Sequence, residues 1–364
     1  MVIKSRISSD NLEEDVVINE YTSAANPVIP NIPVDVLDST NHESGPTRVI
    51  PFDLSKSMAL PYPASSPNLL ASFIRIRENE SIETQASATS QSFYIIRGSG
   101  SSTGEFGEVQ WSEGDLFVIP VTEEPILHKS TNDSALYWVT DEPLLRYLGV
   151  KPYEAKFMTT VFRRKRMLDE VERIRHEPGA EHKNRLGILL GNRVTNTTTK
   201  TLTHTLWSLL NILPAGDHQR PHRHNSVALD LCVSAAPGDK VYTLMGPELD
   251  ENGWVKDPIK CVWKTGAVFS TPPGWWHSHH NETGEPAWVL PMQDAGLYTY
   301  QRTLDIRFSV AQNAELEAKF PPHIISKTEI AEVVKKPSYS RPTLVVAVAS
   351  VLAISIFSIM KVKF

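Results

Sequence analysis

The chain has 364 residues, of which 41% are hydrophobic and 21% are charged, so it is long enough for two globular domains with their own cores. The net charge of −6, without a basic stripe that carries interleaved aromatic residues, excludes a typical nucleic-acid-binding protein. Two cysteines, Cys232 and Cys261, indicate a reducing compartment and leave room for one disulfide at most.

The N-terminal region, residues 1–50, is polar and rich in Asn, Ser, Asp and Pro. It lacks the charged segment followed by an apolar segment that marks a signal peptide. We expect a flexible arm, in which one segment could pair onto a later sheet.

Residues 51–150 contain short segments such as "QSFYIIRGSG" and "GDLFVIP", bounded by Gly, Pro, Ser or Asp. Their alternation is typical of antiparallel strands in a sandwich or barrel. Residues 151–192 predict a connector with a helix through Arg175, because Pro178 and Gly179 would end it. Strands of the same character resume over residues 193–310, which indicates an internal duplication. The predicted fold class is therefore mainly β, with two β domains.

The C-terminal region divides into a linker, residues 311–342, and an uncharged apolar segment of 18 residues, 343–360. As a helix this segment would reach about 27 Å, close to the roughly 30 Å hydrocarbon core of a bilayer. We predict a C-terminal transmembrane anchor that leaves the preceding domains facing the cytosol. A buried core helix is the alternative.

Histidines are concentrated in two short windows, and such clustering is typical of a metal site. The windows contain His218, His222 and His224, and His277, His279 and His280. In a strand, His222 and His224 point to the same face. The turn at Gly274 begins a second strand, on which His277 would face the same interior. Three neutral imidazoles suit a divalent metal such as Fe(II), and would also take Mn or Zn.

Alternation along the second strand assigns the neighbouring side chains to two faces. His279 shares the face of His277 and is a candidate acid, base or substrate contact. Trp275 also shares that face and could form an aromatic wall of a substrate pocket. His280 and Trp276 point the other way, which favours a packing role for both.

The two windows resemble the two cupin motifs, G-x5-H-x-H and G-x5-P-x-G-x2-H-x3-N. The strings "HRHNSVAL" and "TPPGWWHSHHN" are similar to those of the gentisate 1,2-dioxygenase group of bicupins. This resemblance implies two double-stranded β-helix (jelly-roll) domains. It also implies cleavage of a hydroxylated aromatic acid with O2, at iron held by His222, His224 and His277.

The first half resembles a cupin that has lost its metal site. It keeps His128 and Asn132 at the motif spacing, but alignment places Gln85 and Ser87 where the first two histidines would stand. One histidine cannot hold iron, so we expect residues 51–150 to be structural. In gentisate-type enzymes the catalytic cupin usually comes first, so the domain order here is rearranged.

One departure concerns the substrate. The gentisate group usually has an arginine directly after "AL", where this chain has Asp230. An inward Asp230 would repel a carboxylate unless it pairs with Arg223 or Arg220, and a purely structural salt bridge is equally open. We therefore count Asp230 and Arg223 with His279 as candidate catalytic residues, and expect a neutral or amine-bearing phenol to fit better than gentisate. Residues 237–260 would form a lid or a long hairpin.

Three functions follow from these observations. The first is a membrane-tethered Fe(II) dioxygenase with a small hydroxylated aromatic substrate and O2. The second is a cupin isomerase or hydrolase that uses Zn or Mn. The third is a tethered small-molecule-binding module without catalysis. We also expect that the chain could form a homo-oligomer.

Overall fold

The computed structural model describes residue 13, residues 15–180, residue 183 and residues 185–309. The predicted linker, 311–342, and the predicted anchor, 343–360, lie outside these residues. Within the described part of the chain, no helix is both long enough and apolar enough to cross a membrane.

The described residues form strands and a few short helices. The strands are β1 Val36–Leu37, β2 Arg48–Pro51, β3 Leu70–Ile76, β4 Ser81–Thr84, β5 Ser90–Arg97, β6 Ser99–Gly104, β7 Gly107–Ser112, β8 Leu116–Pro120, β9 Ile126–Ser130, β10 Ser134–Thr140, β11 Thr160–Phe162, β12 Leu186–Leu190, β13 Trp207–Leu213, β14 His218–His224, β15 Ala228–Ser234, β16 Val241–Gly246, β17 Ile259–Val262, β18 Val268–Thr271, β19 Trp276–Asn281, β20 Ala287–Gln293 and β21 Ile306–Phe308. The helices are α1 Tyr21–Ala24, α2 Thr40–Glu43, α3 Glu142–Leu148, α4 Arg164–Arg175 and α5 Ala295–Gln301. The chain is therefore mainly β, as the sequence predicts.

The strands form two barrels, each made of two antiparallel sheets. Barrel 1 contains the sheets β11-β8-β5-β10-β3-β2 and β4-β9-β6-β7. Barrel 2 contains the sheets β1-β18-β15-β20-β13-β12 and β17-β16-β19-β14-β21. Strands β3 to β10 of barrel 1 recur in the same neighbour order as β13 to β20 of barrel 2, so the fold is an internal duplication.

Two connecting segments join the barrels. In the N-terminal segment, β1 pairs with β18 of barrel 2 and β2 pairs with β3 of barrel 1. In the central segment, β11 pairs with β8 of barrel 1 and β12 pairs with β13 of barrel 2, with α4 between them. The ring of His42 contacts both barrels, because Nε2 lies 3.0 Å from the Gly266 carbonyl oxygen and Nδ1 lies 2.6 Å from Nη1 of Arg97. The N-terminal segment thus contributes one strand to each barrel.

The two large sheets pack against each other through their outer faces and form a shared apolar core. Within it, the Tyr137 hydroxyl donates a hydrogen bond of 3.1 Å to the Leu229 carbonyl oxygen. The interior of barrel 1 is filled by side chains, among which Phe93 stacks on Phe117 and Trp138 at centroid distances of 4.8 and 5.8 Å. The interior of barrel 1 is therefore a packed apolar core.

Barrel 2 contains a smaller apolar cluster that includes Cys232, Cys261 and Trp263. Both cysteines are buried and free, so the single bridge that the sequence allowed is not formed.

Residues 237–260 form a long hairpin of β16 and β17. At its tip Trp254 lies under the Arg220 guanidinium at 4.6 Å and beside His280.

Candidate metal centre

The two histidine windows lie on neighbouring strands of barrel 2. Strands β14 and β19 pair in an antiparallel register that sets His222 opposite His277. The turn before β19 depends on Gly274, whose φ of +76° is in the left-handed region that favours glycine. The Gly274 N–H donates a hydrogen bond of 2.7 Å to the His224 carbonyl oxygen, which fixes the turn against β14.

His222, His224 and His277 face one another across a small space. One nitrogen of each ring lies within 4.8 Å of the others, and among the described residues this is the group that could hold a metal ion. The ring centres are 4.1 Å apart for His222 and His277, 4.9 Å for His224 and His277, and 5.6 Å for His222 and His224. Three imidazoles bound at right angles with metal–nitrogen bonds of about 2.1 Å would have centres about 4.6 Å apart. The observed spacing therefore fits one divalent ion.

Backbone carbonyl groups orient two of the three rings. His224 Nδ1 donates to the Ser226 carbonyl oxygen at 2.8 Å, and His277 Nδ1 donates to the Trp275 carbonyl oxygen at 3.0 Å. The proton on each Nδ1 leaves the Nε2 lone pair available to a metal. Burial lowers the pKa of His224 to about 4 and holds the pKa of His277 well below its ordinary value, so both rings are neutral at pH 7.

The third ring has a different partner, Arg185, which the sequence analysis missed. Arg185 Nη2 donates to His222 Nδ1 at 2.5 Å. Because a guanidinium can only donate, His222 Nδ1 must be the acceptor, and its proton then lies on Nε2. Arg185 is half-buried, and desolvation lowers its pKa to about 9 against the opposing effects of Asp217 and Asp230. A metal on His222 would therefore compete with a guanidinium that is already in place.

A cavity of about 250 Å³ adjoins the three histidines. Its aromatic walls are Trp207 and Phe308, and the Phe308 ring is stacked on His222 with centres 5.9 Å apart. Trp275 does not line this cavity, so the predicted wall is wrong. Trp275 belongs to the turn before β19, where strand alternation does not yet apply, and it packs against the apolar cluster of barrel 2.

Asp230 lines the cavity, as expected, but neither predicted arginine accompanies it. Arg223 lies 5.1 Å from the Trp276 ring, because it points to the face of β14 opposite to His222, and Arg220 lies over Trp254. Burial raises the pKa of Asp230 to about 7, while a hydrogen bond from Thr271 and the charge of Arg185 act in the opposite direction. The cavity thus contains a cation as well as a carboxyl group, and it is not the acidic pocket that the sequence suggested.

Two further polar side chains line the cavity. His279 does so as predicted, and its Nδ1 lies 2.8 Å from the Thr243 hydroxyl. Asn211 was not predicted; its Nδ2 faces Gln219, and its buried Oδ1 has no hydrogen-bond partner within the described residues. His280 stacks on Tyr242 at 4.9 Å instead, which fits the packing role expected of it.

Barrel 1 keeps one histidine of barrel 2, and it has apolar or hydroxyl side chains where barrel 2 has the three candidate ligands. On β9 and β6, His128 lies opposite Ser102, just as His279 lies opposite Thr243 on β19 and β16. His128 therefore corresponds to His279 and not, as its spacing to Asn132 suggests, to His277.

The same register identifies the positions that correspond to the three candidate ligands. Ile126 takes the place of His277, and Thr84, opposite it on β4, takes the place of His222. Ala86, two residues further, corresponds to His224 and is buried in the core of barrel 1. Gln85 is exposed and donates to the Glu123 carbonyl oxygen, so the predicted alignment with Gln85 and Ser87 is shifted by one residue. A shift of one residue moves every side chain to the other face of a strand.

No protein-family model matches the chain. The 5-aminosalicylate 1,2-dioxygenase of Comamonas sp. is 30% identical over 104 residues, which span 28% of this chain and 28% of that enzyme. The salicylate 1,2-dioxygenase of Pseudaminobacter salicylatoxidans is similar in structure, with a TM-score of 0.62 at 14% identity over 83% of this chain and 98% of that one. An overlap of that extent includes both barrels. The chain has the bicupin fold.

A bicupin fold does not by itself select a reaction. A variant of the oxalate decarboxylase of Bacillus subtilis is also similar, with a TM-score of 0.50 at 15% identity over 81% of this chain and 85% of that one. The reaction must be argued from the residues of the site.

Proposed function

We propose that this bicupin is a non-haem Fe(II) dioxygenase that acts on a small hydroxylated aromatic compound. The observation that carries the proposal is the neutral three-histidine group at the edge of a cavity with aromatic walls. His222, His224 and His277 would hold the ion, with Mn or Zn as the alternatives that the same ligands accept. When bound, iron would supply the redox chemistry by which O2 oxidises an aromatic ring.

The other side chains of the cavity support an aromatic acid as the substrate. Arg185 can bind a carboxylate with two parallel hydrogen bonds, which is the contact that the gentisate group obtains from an arginine after "AL". Asp230 and Asn211 can accept hydrogen bonds from an amino or hydroxyl group elsewhere on the ring. Trp207 and Phe308 give the ring two apolar surfaces and exclude water from them. The two dioxygenases named above, unlike the oxalate decarboxylase, are named for salicylate and 5-aminosalicylate.

The test uses full-length protein purified without oxygen, with its metal content measured before any addition. We expect about one iron per chain, and O2 consumption that depends on salicylate, 5-aminosalicylate or a related hydroxybenzoate. Bound Zn or Mn without O2 consumption would favour the isomerase or hydrolase. A chain that binds no metal, and whose properties do not change in His277→Ala, would favour the non-catalytic module. Size-exclusion chromatography with light scattering on the same sample would test the predicted homo-oligomer.

We propose further that the chain is tethered to a membrane through residues 343–360, with both barrels facing the cytosol. This proposal rests on the apolar character of that segment in the sequence. A fluorescent tag placed before Thr343 should follow membranes in the full chain and become diffuse when the segment is deleted. A diffuse signal from both versions would reject the tether.

A further inference from the structure

A chain of hydrogen bonds runs from the apolar cluster of barrel 2 to the cavity. Trp263 Nε1 donates to the Thr243 hydroxyl oxygen at 2.8 Å, and that oxygen lies 2.8 Å from His279 Nδ1. All three side chains are buried. Because an indole N–H can only donate, the Thr243 oxygen is the acceptor of this bond, and its own proton is available for His279.

The direction of these bonds determines the tautomer of His279. If the Thr243 hydroxyl donates to Nδ1, then Nδ1 is the acceptor, and the proton of the neutral ring lies on Nε2. Within the described residues, nothing accepts a hydrogen bond from His279 Nε2, and the side chain lines the cavity. In that tautomer, His279 presents an N–H donor to whatever occupies that space.

Barrel 1 contains the same arrangement with a protein acceptor in the place of the ligand. Trp111 Nε1 donates to the Ser102 hydroxyl at 2.9 Å, and Ser102 lies 2.7 Å from His128 Nδ1. His128 Nε2 then lies 2.8 Å from the hydroxyl of Thr84. In barrel 2, the position of Thr84 is taken by His222, and the corresponding donor has no acceptor among the residues that the structure describes.

We propose that Thr243 and Trp263 are positioning residues that hold His279 as the Nε2–H tautomer, so that it donates a hydrogen bond to an oxygen atom of the bound ligand. The ligand would present a phenolate, carboxylate or carbonyl oxygen on the side of the cavity next to the histidines. This role makes His279 a hydrogen-bond donor, and it excludes the role of a base that accepts a proton at Nε2. The ligand contact rests on the proposal that the cavity is the substrate site, whereas the tautomer does not.

The first measurement is the tautomer itself, in full-length protein labelled with 15N-histidine and supplied with diamagnetic Zn(II). Long-range 1H–15N spectra distinguish a protonated nitrogen from an unprotonated one, and His279→Gln identifies the signals of His279 by their loss. We expect Nε2 to be protonated in the unaltered chain and in Thr243→Ser, which keeps the hydroxyl. Thr243→Val should shift the ring toward a mixture of both tautomers. A ring that carries its proton on Nδ1 in the unaltered chain would overturn the proposal.

The second measurement is the binding of salicylate, followed by quenching of the fluorescence of Trp207 and its neighbours. We expect Thr243→Val to weaken binding about tenfold, and Thr243→Ser to change it less than about twofold. Ser102→Ala breaks the matched arrangement in barrel 1 and should leave salicylate binding unchanged. Equal affinities for the Val and Ser variants at position 243 would contradict the proposed contact.

The two readouts separate this inference from the proposed function. If no aromatic substrate supports O2 consumption, yet the tautomer and the Thr243 series behave as described, then the oxygenase assignment fails and the positioning role stands. If O2 is consumed normally by Thr243→Val and its His279 tautomer is unchanged, then the oxygenase assignment stands and the positioning role fails.

Discussion

Barrel 1 and barrel 2 share a strand order and a Trp–Ser/Thr–His arrangement, and they differ in what fills the space beside it. Thr84, Ala86 and Ile126 close the interior of barrel 1, where barrel 2 has three histidines. Asp230 of barrel 2 stands where barrel 1 has Phe93. Phe93 lies opposite Trp138 on β10, and Asp230 lies opposite Pro291 on β20, the strand that corresponds to β10. A few substitutions therefore distinguish a packed barrel from a barrel with a polar cavity, on the same backbone.

The sharpest way to test this difference is to remove one of the candidate ligands. His277→Ala should lower metal affinity by at least about a thousandfold, because two imidazoles hold a divalent ion far less tightly than three. Equilibrium dialysis with Zn(II) or anaerobic Fe(II) measures the change. His128→Ala, at the barrel 1 position that corresponds to His279, should destabilise the protein but leave metal affinity as it was. Retention of metal by His277→Ala would place the ion elsewhere.

The second test concerns Asp230, the carboxyl group that stands in barrel 2 where barrel 1 has the ring of Phe93. The pKa of Asp230 is raised to about 7 by burial, from 3.8. Between these values the folded state binds a proton that the unfolded state lacks, so the stability of the protein falls as pH rises from about 4 to about 7 and then levels off. Asp230→Asn lacks this dependence. Between pH 4 and pH 8 we expect the stability difference between the two proteins to move in favour of Asn by about 4 kcal/mol.

Urea denaturation in the presence of a chelator measures this difference without a metal contribution. Exposed Asp239→Asn is the control and should follow the unaltered chain at both pH values. A constant difference between the Asp230→Asn variant and the unaltered chain would mean that Asp230 is ionised throughout, and that Arg185 compensates for its burial.

The third test converts barrel 2 toward barrel 1. Asp230→Phe should fill part of the cavity, as Phe93 does in barrel 1, while the three histidines remain in place. We expect salicylate binding to weaken about a hundredfold, with metal affinity within about threefold of the unaltered chain. Fluorescence titration and dialysis provide the two readouts. If both properties are lost together, the variant has disturbed the barrel as a whole, and the milder Asp230→Leu then decides.

The fourth test addresses Arg185, which contacts a candidate ligand and faces the cavity. Arg185→Gln removes the cation and the guanidinium that reaches His222, because the glutamine side chain is neutral and shorter, so metal affinity should rise about tenfold. The same change removes the guanidinium for a carboxylate, so salicylate should bind about tenfold more weakly. Phenol, which has no carboxylate, is the matched ligand and should be affected little. A rise in metal affinity together with a fall in salicylate affinity is the expected result. A loss of both affinities would contradict the prediction.

The sequence predicted the duplicated β fold and the three histidines because both are local patterns. A strand places residues i and i+2 on one face, so "HRH" and "HSH" reveal their common direction without any knowledge of the fold. Arg185 and Asn211 could not be found in this way, since they reach the cavity from strands whose neighbours are set only by long-range pairing. Trp263 left a weak signal, because "VQW" in the first half and "CVW" in the second stand at matching places in the duplication. Trp275 was misassigned because alternation was extended into a turn.

The smallest expected effect is a difference in stability between matched variants of the two Trp–Ser/Thr–His arrangements. Trp111→Phe and Trp263→Phe remove the same indole donor and a similar volume, so the loss of packing is expected to be similar. In barrel 1 the Ser102 oxygen then stays buried in a packed interior without its donor, which costs about 1–3 kcal/mol. In barrel 2 the arrangement ends at a cavity that admits water, so part of the loss can be recovered. We expect Trp111→Phe to lower the free energy of unfolding by about 1 kcal/mol more than Trp263→Phe does, as measured by urea denaturation. Equal losses would mean that water in the cavity does not compensate Thr243 and His279 for the lost donor. The duplicated arrangement would then stabilise both barrels to the same extent.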